Sequence, residues 1–109
     1  MYLPIRGYPG YFAGADGTVW SSWTNENPSR QLTAWHRLKK RIEHGRHRAH
    51  VADKDRMPVR LLVGWLVLMA FKGPPADKTA KFVWHINDDL LDDRLSNLRW
   101  SRRPQRAKR

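Results

Sequence analysis

The chain contains no cysteine. That excludes disulfide stapling and every cysteine-type zinc site. Acidic residues are scarce as well: Asp+Glu 10 against Lys+Arg 21 leaves a net charge of +11. A sequence pI near 10.9 favours an acidic partner, with nucleic acid first and an anionic membrane or an acidic protein behind it. Long apolar runs are missing too. No stretch approaches the roughly eighteen residues of a membrane span, so no membrane span is expected, and no membrane is assigned as partner. The longest apolar run, Leu61 to Phe71, is broken only by Gly64 and suits a buried helix. The opening Met1-Tyr2-Leu3-Pro4-Ile5-Arg6-Gly7 lacks a secretory hydrophobic region, which points to a cytoplasmic protein. At 109 residues the expectation is one domain, or one small domain with an appendage, around a modest core.

What charge there is clusters. Arg30 to Arg60 holds ten Lys/Arg, three acids and four of the five histidines, and Arg94 to Arg109 holds seven Lys/Arg and no acid. Four of the ten acids sit together at Asp88, Asp89, Asp92 and Asp93. Two basic surfaces bracketing an acidic loop are the natural reading. The sharpest patches are Trp35-His36-Arg37-Leu38-Lys39-Lys40-Arg41 and the tail with Arg99, Arg102, Arg103, Arg106, Lys108 and Arg109. Such clusters suit phosphate contact, which positions a protein without reading base sequence. Of six tryptophans, Trp65 and Trp100 are expected in the core. Trp23 and Trp35, with polar or basic neighbours, are candidates for base stacking or a protein contact.

Local patterning sets out the elements. Residues 1–23 are punctuated by Pro4, Gly7, Pro9, Gly10, Gly14 and Gly17, with Asp16-Gly17 as a hairpin signal. Residues 24–34 are expected as a polar loop. Strands or a short basic element are expected over Arg37 to Arg41 and His47 to Val51, around Gly45. A charged turn over Ala52 to Met57 and a returning strand over Pro58 to Leu62 follow. Leu62 to Phe71 is expected to be a helix, stopped by Gly73-Pro74-Pro75.

The most specific wording comes late. Phe82-Val83-Trp84-His85-Ile86-Asn87-Asp88-Asp89 and Asp92-Asp93-Arg94-Leu95-Ser96-Asn97-Leu98-Arg99-Trp100 read as a strand ending in histidine, an acidic loop, and a strand opened by Asn-Leu. This layout resembles the phage and homing branch of the HNH endonucleases, built on a ββα-metal motif. There the pattern runs near Val-Asp/Asn-His-Ile-Asp-Gly, then Asn-Asn-Arg-Leu-x-Asn-Leu-x-Trp. Ile5-Arg6-Gly7-Tyr8-Pro9-Gly10-Tyr11 and Asp16-Gly17-Thr18-Val19-Trp20-Ser21 likewise resemble the small module N-terminal to many such domains. Gly14 and Ala15 depart from its usual wording. The resemblance covers about residues 2–23 and 59–106. It implies an α+β chain divided as 1–23, an N-terminal β-module; 24–58, a basic linking segment with strands; and 59–109, an HNH-like ββα domain.

By the same resemblance His85 takes the place of the general base and Asn97 that of the residue ordering the loop. In such sites one divalent ion, typically Mg²⁺, sits against the scissile phosphate. Here, however, Trp84 stands at the first metal-ligand position, and Arg106 falls near the helical one, in a helix opened by Pro104. Neither side chain offers a lone pair to a metal. No metal ligand is therefore assigned, and Mg²⁺ is expected only if the site cuts. Asp88 or Asp89 swinging in is one route to an ion, and a ligand from a partner chain stays open as another. Asp93 or Asp92 is expected to accept from nearby backbone N–H groups or from Arg94, with no catalytic part. Where relatives carry His-Arg, this chain has Gly64-Trp65, which removes a polar pair that would face the nucleic-acid backbone.

The resemblance thus implies a nucleic-acid-binding protein of HNH descent, of phage type and acting in the host cytoplasm, whose cleavage is in doubt. DNA is favoured over RNA, and Trp35, Arg37, Lys39, Lys40, Arg41, Arg102, Arg103 and Arg106 are the candidate contacts. Two alternatives stay open: a Mg²⁺-dependent nicking enzyme working through His85, and a basic, Trp-rich adaptor docking on an acidic host or virion protein.

Overall fold

The computed structural model describes residues 1–23 and 31–106, with side chains from Trp35 onward in the second segment. The chain is a small, sheet-rich α+β protein with one α-helix among the described residues. Strands β1 (Tyr2–Pro4), β2 (Tyr11–Gly14), β3 (Val19–Trp23) and β4 (Gln31–Arg37) form an antiparallel meander in that order. Strands β5 (Arg41–Glu43), β6 (Arg46–Ala52) and β7 (Pro58–Leu62) form a second antiparallel sheet. Helix α1 (Val63–Phe71) follows, and β8 (Phe82–His85) and β9 (Leu98–Ser101) close the chain as a two-stranded ribbon.

Turn chemistry sets most of these reversals. At the β2–β3 turn, Asp16 Oδ1 accepts from Thr18 N at 3.2 Å and Thr18 Oγ1 at 2.6 Å. Gly17 there has φ +85°, and a Cβ on it would lie 3.0 Å from the Asp93 carbonyl. That turn therefore abuts the acidic loop, and Leu95 N donates to Ala15 O at 2.9 Å. Between β5 and β6, His44 and Gly45 both take positive φ, as a tight two-residue hairpin with right-handed strand twist requires. Asp53 Oδ1 caps the β6–β7 turn by accepting from Asp55 N and Met57 N.

Helix α1 is apolar on nearly every side, so it is buried rather than amphipathic. Val63, Leu66, Val67 and Leu68 are wholly inaccessible and meet Ile5, Tyr11, Ala13, Val19, Ala49, Val51, Val83 and Leu98 in one core. That core draws residues from the N-terminal meander, the middle sheet and the terminal ribbon alike. Trp65 and Trp100 pack against it, and Trp100 Nε1 donates to Gly73 O at 3.1 Å, tying β9 to the end of the helix.

Three local expectations need correction. The polar loop over 24–34 is shorter, because β4 already begins at Gln31 opposite Trp23; residues 24–30 lie outside the described residues. No strand runs through Arg37 to Arg41: β4 ends at Arg37 and β5 begins at Arg41. Leu38, between them, donates its N–H to Val19 O at 2.9 Å and packs on the core. Finally, residues 102–106 form no helix, so the closing helix of a ββα unit is not present among the described residues. The backbone there is otherwise engaged: Ser101 Oγ accepts from Arg103 N, and the Gln105 carbonyl accepts from Arg46 Nη2. No described helix is long and apolar enough to cross a membrane.

Candidate functional site

Strand β8 alternates, burying Val83 and His85 while Phe82 and Trp84 face the opposite side. His85 is 2% exposed. Its Nε2 lies 2.7 Å from Asp93 Oδ1, and its Nδ1 lies 3.3 Å from Gln105 Oε1. Each ring nitrogen is thus faced by a protein oxygen rather than by solvent. Gln105 is fastened on both sides of the same residue: His85 N donates to its Oε1 at 2.6 Å, and its Nε2 donates to His85 O at 2.8 Å. The carboxylate of Asp93, 5% exposed, holds a second ring, with His47 Nδ1 3.3 Å from Oδ2.

The cluster of His85, Asp93, His47 and Gln105 joins four separate parts of the chain. Gly64 makes room for it. A Cβ there would lie 2.8 Å from Val83 Cγ1 and 3.1 Å from Asp93 Oδ1. Gly64 thus faces the interior, and its position is one of packing against Asp93 rather than of contact with an outside ligand.

Asn97 ties the acidic loop closed. Its Oδ1 accepts from Asn87 N at 2.9 Å, and its Nδ2 donates to Asn87 Oδ1 and Asp92 O, each at 2.9 Å. The backbone carbonyl of Asn97 accepts from Ile86 N at 2.8 Å. Asp89 Oδ1 accepts from Leu91 N at 3.0 Å, and Asp88 Oδ1 accepts from Gln105 Nε2 at 3.2 Å. The loop carboxylates are therefore turned to the loop's own order, and among the described residues no group of histidines and carboxylates has the arrangement to hold a metal ion. Trp84, on the far side of the ribbon from His85, has the Arg99 guanidinium 5.5 Å from its ring centre.

Asp92 forms a two-pronged ion pair with Arg94, at 2.8 and 2.7 Å. The hydrogen bonds from Arg94, followed by one from Asn87, hold its carboxyl well below the usual carboxylate range. A depressed folded value means that this pair stabilises the protein above the ordinary carboxylate pKa and stops doing so as pH falls toward the folded one. Asp92→Asn is therefore expected to lower the melting temperature modestly at pH 7 and to leave a shallower acid limb below about pH 4. Melting curves from pH 7 to pH 2 check this. Parallel acid limbs for parent and variant would rule it out.

The basic residues assemble around three adjoining hollows. The first, of about 620 Å³, is lined by Thr18, Arg37, Lys39, Lys40 and His47. The second, of about 390 Å³, shares Leu38 and Lys39 with it and adds Arg41, Arg48 and His50. The third, of about 290 Å³, shares Glu43 and Arg48 with the second and adds Arg46, Lys81 and Gln105. Seven Lys/Arg side chains thus line a connected surface that holds one acid, Glu43, itself paired with Arg60 at 2.9 Å. Burial first, and then the neighbouring Arg48 charge, lower the Arg46 guanidinium from its ordinary value. An incoming anion would relieve that crowding.

Arg37, Lys39, Lys40 and Arg41 all belong to this surface. Of the described tail cations, Arg102, Arg103 and Arg106 do not line it: Arg102 pairs with Asp77 at 2.6 Å, and Arg103 and Arg106 are exposed. The C-terminal side chain brought to His85 is Gln105, one residue before Arg106. Trp23 is engaged on its ring and its nitrogen, with the Arg56 guanidinium 3.9 Å from the ring centre and Pro9 O accepting from Nε1 at 2.8 Å. Trp35 stays 41% exposed.

Sequence reasoning missed Asp93 and Gln105 as partners of His85, His47 as a partner of Asp93, and Arg46, Arg48 and Lys81 as basic lining. One signal was available. The run Arg46-His47-Arg48-Ala49-His50-Val51 alternates, and a strand there puts His47 on the face of Ala49 and Val51 while Arg46 and Arg48 take the other. Searches of this chain against protein-family models, against curated proteins and against solved structures each return no match.

Proposed function

We propose that this chain is an HNH-endonuclease-like nucleic-acid-binding protein whose histidine site no longer cuts. The burial of His85 supports the reading most directly: a general base needs a ring nitrogen within reach of water, and both nitrogens of His85 face protein acceptors. Trp84 faces away from His85, and the loop carboxylates Asp88 and Asp89 accept hydrogen bonds within the protein, which supports the same reading. Against this, the connected basic surface has the sign and the spacing of cations suited to phosphates. In this reading the β8–β9 ribbon and its acidic loop are the retained part of a ββα-metal unit, kept for folding. DNA is the favoured partner, since the resemblance that supports the reading is to DNA-cutting relatives.

The test is a supercoiled-plasmid assay with Mg²⁺ or Mn²⁺, run beside His85→Ala and followed on gels at several salt concentrations. Retardation of the plasmid without nicking, steeply weakened by salt, is the expected result. Metal-dependent nicking that disappears in His85→Ala would overturn the reading in favour of a working nuclease.

A further inference from the structure

The outward face of the N-terminal meander is aromatic. Ile5, Tyr11, Ala13 and Val19 turn inward to the core, which by strand alternation sends Tyr2, Phe12, Trp20 and Trp35 to the other side. These four rings form one connected cluster. Phe12 and Trp35 stack with centroids 3.8 Å apart and planes 13° apart. Tyr2 meets Trp35 and Trp20 edge-on at 6.3 and 5.6 Å. None of the four belongs to the core, and Tyr2 and Trp35 are 44% and 41% exposed. The platform is stiff: Trp20 Nε1 donates to Thr18 Oγ1 at 2.7 Å, and that hydroxyl is held in turn by Asp16.

The platform runs directly into the basic surface. Across the sheet Pro4, Phe12, Trp20 and Arg37 stand opposite one another in a single row. Arg37 and Thr18 also line the first hollow, with Lys39 and Lys40 beside them. Flat rings next to a row of cations suit a chain that offers planar bases on one side and phosphates on the other. A duplex keeps its bases stacked inside and cannot use the rings, whereas an unpaired strand can. Charge complementarity favours that strand over an apolar protein segment, since the cations adjoining the platform have no acidic neighbours among the hollow's lining residues.

We propose that the Tyr2, Phe12, Trp20 and Trp35 face is a base-stacking platform, and that the protein binds single-stranded nucleic acid with its phosphates in the hollow lined by Arg37, Lys39 and Lys40. This rests on the reading of the basic hollows as a phosphate-binding surface and extends it by naming the strand state of the partner.

Fluorescence anisotropy with a labelled oligothymidylate, and with a mixed-sequence duplex of equal length, tests it on the full chain at moderate salt. Trp35→Ala is expected to weaken oligothymidylate binding by about tenfold, the size of one lost base stack, and to leave duplex binding unchanged. Trp35→Phe, which keeps a ring over Phe12, is expected to restore most of the loss. Tyr2→Ser, at the edge strand, offers the same comparison should Trp35→Ala fail to fold, as judged by its circular dichroism. Equal effects on both ligands, or no effect on either, would overturn the platform while leaving the phosphate surface in place. Parent protein that binds neither ligand would instead overturn the phosphate surface, and the platform with it. A protein segment as the true occupant would show as oligothymidylate affinity indifferent to both variants.

Discussion

Asp93→Ala is expected to lower the unfolding free energy by about 3–5 kcal/mol, the cost of removing one member of a buried, hydrogen-bonded charged cluster. The carboxylate is the shared acceptor of two rings, with His85 Nε2 on one oxygen and His47 Nδ1 on the other. Its loss leaves two imidazole nitrogens without a partner, that of His85 in a fully buried site and that of His47 in a part-buried one, and a small void against Gly64. Unfolding free energies near 5–15 kcal/mol are usual for domains, so the variant should sit close to the folding threshold. Asp93→Asn keeps one acceptor oxygen and turns an amide N–H₂ toward the other ring, so an intermediate loss is expected. Urea denaturation reads both directly. A shifted midpoint with an unchanged slope assigns the loss to the native cluster. A shift worth less than about 1 kcal/mol for Asp93→Ala, the size of an exposed ion pair, would mean that the cluster does not hold the loop and β6 together.

The second large effect is on binding. A triple variant, Lys39→Gln with Arg41→Gln and Arg48→Gln, is expected to weaken duplex binding by about a hundredfold near physiological salt. The slope of log affinity against log salt should fall by about 3, close to one unit for each phosphate contact removed. These three line the middle of the connected surface, and none of them is the Arg46 that holds Gln105 O. The tail supplies the comparison. Arg102→Gln with Arg103→Gln removes two charges from residues outside the hollows, one of them already paired with Asp77. Its effect on the slope should be smaller. Equal slopes for the triple variant and the parent would remove the hollows from the phosphate-binding surface.

Much of the secondary structure was legible residue by residue. Asp16-Gly17 marked the β2–β3 turn, Gly45 sat in the β5–β6 turn, and β7 and α1 run over Pro58–Leu62 and Val63–Phe71. Each of these depends on a few neighbouring residues: a side chain that caps its own turn, a glycine at positive φ, an apolar run long enough for a helix. The end of the chain was misread for the opposite reason. Pro104 directly after the pair Arg102-Arg103 suggests a helix start by local rules. The structure instead spends Gln105 on His85, and Arg46 on the Gln105 carbonyl.

The same division runs through the site. His85 and Asn97 could be singled out in the sequence because the resemblance rests on a short, contiguous wording. Who meets His85 could not. Asp93 lies 8 residues away and Gln105 lies 20 away, while His47 reaches Asp93 across 46. Asp92 and Asp93 are neighbours with the same side chain, yet strand and loop geometry send one to an exposed arginine and the other to two histidines. By itself the sequence determined the charge, the strand and helix over Pro58–Leu62 and Val63–Phe71, and the turns at Gly17 and Gly45, since these follow from composition and from contacts within a few residues. Only the tertiary structure decided that the histidine is buried, that Gly64 exists to admit Asp93, and that cations from β4 to Lys81 adjoin one another. Those facts depend on which distant segments share a face, and no local pattern carries that information.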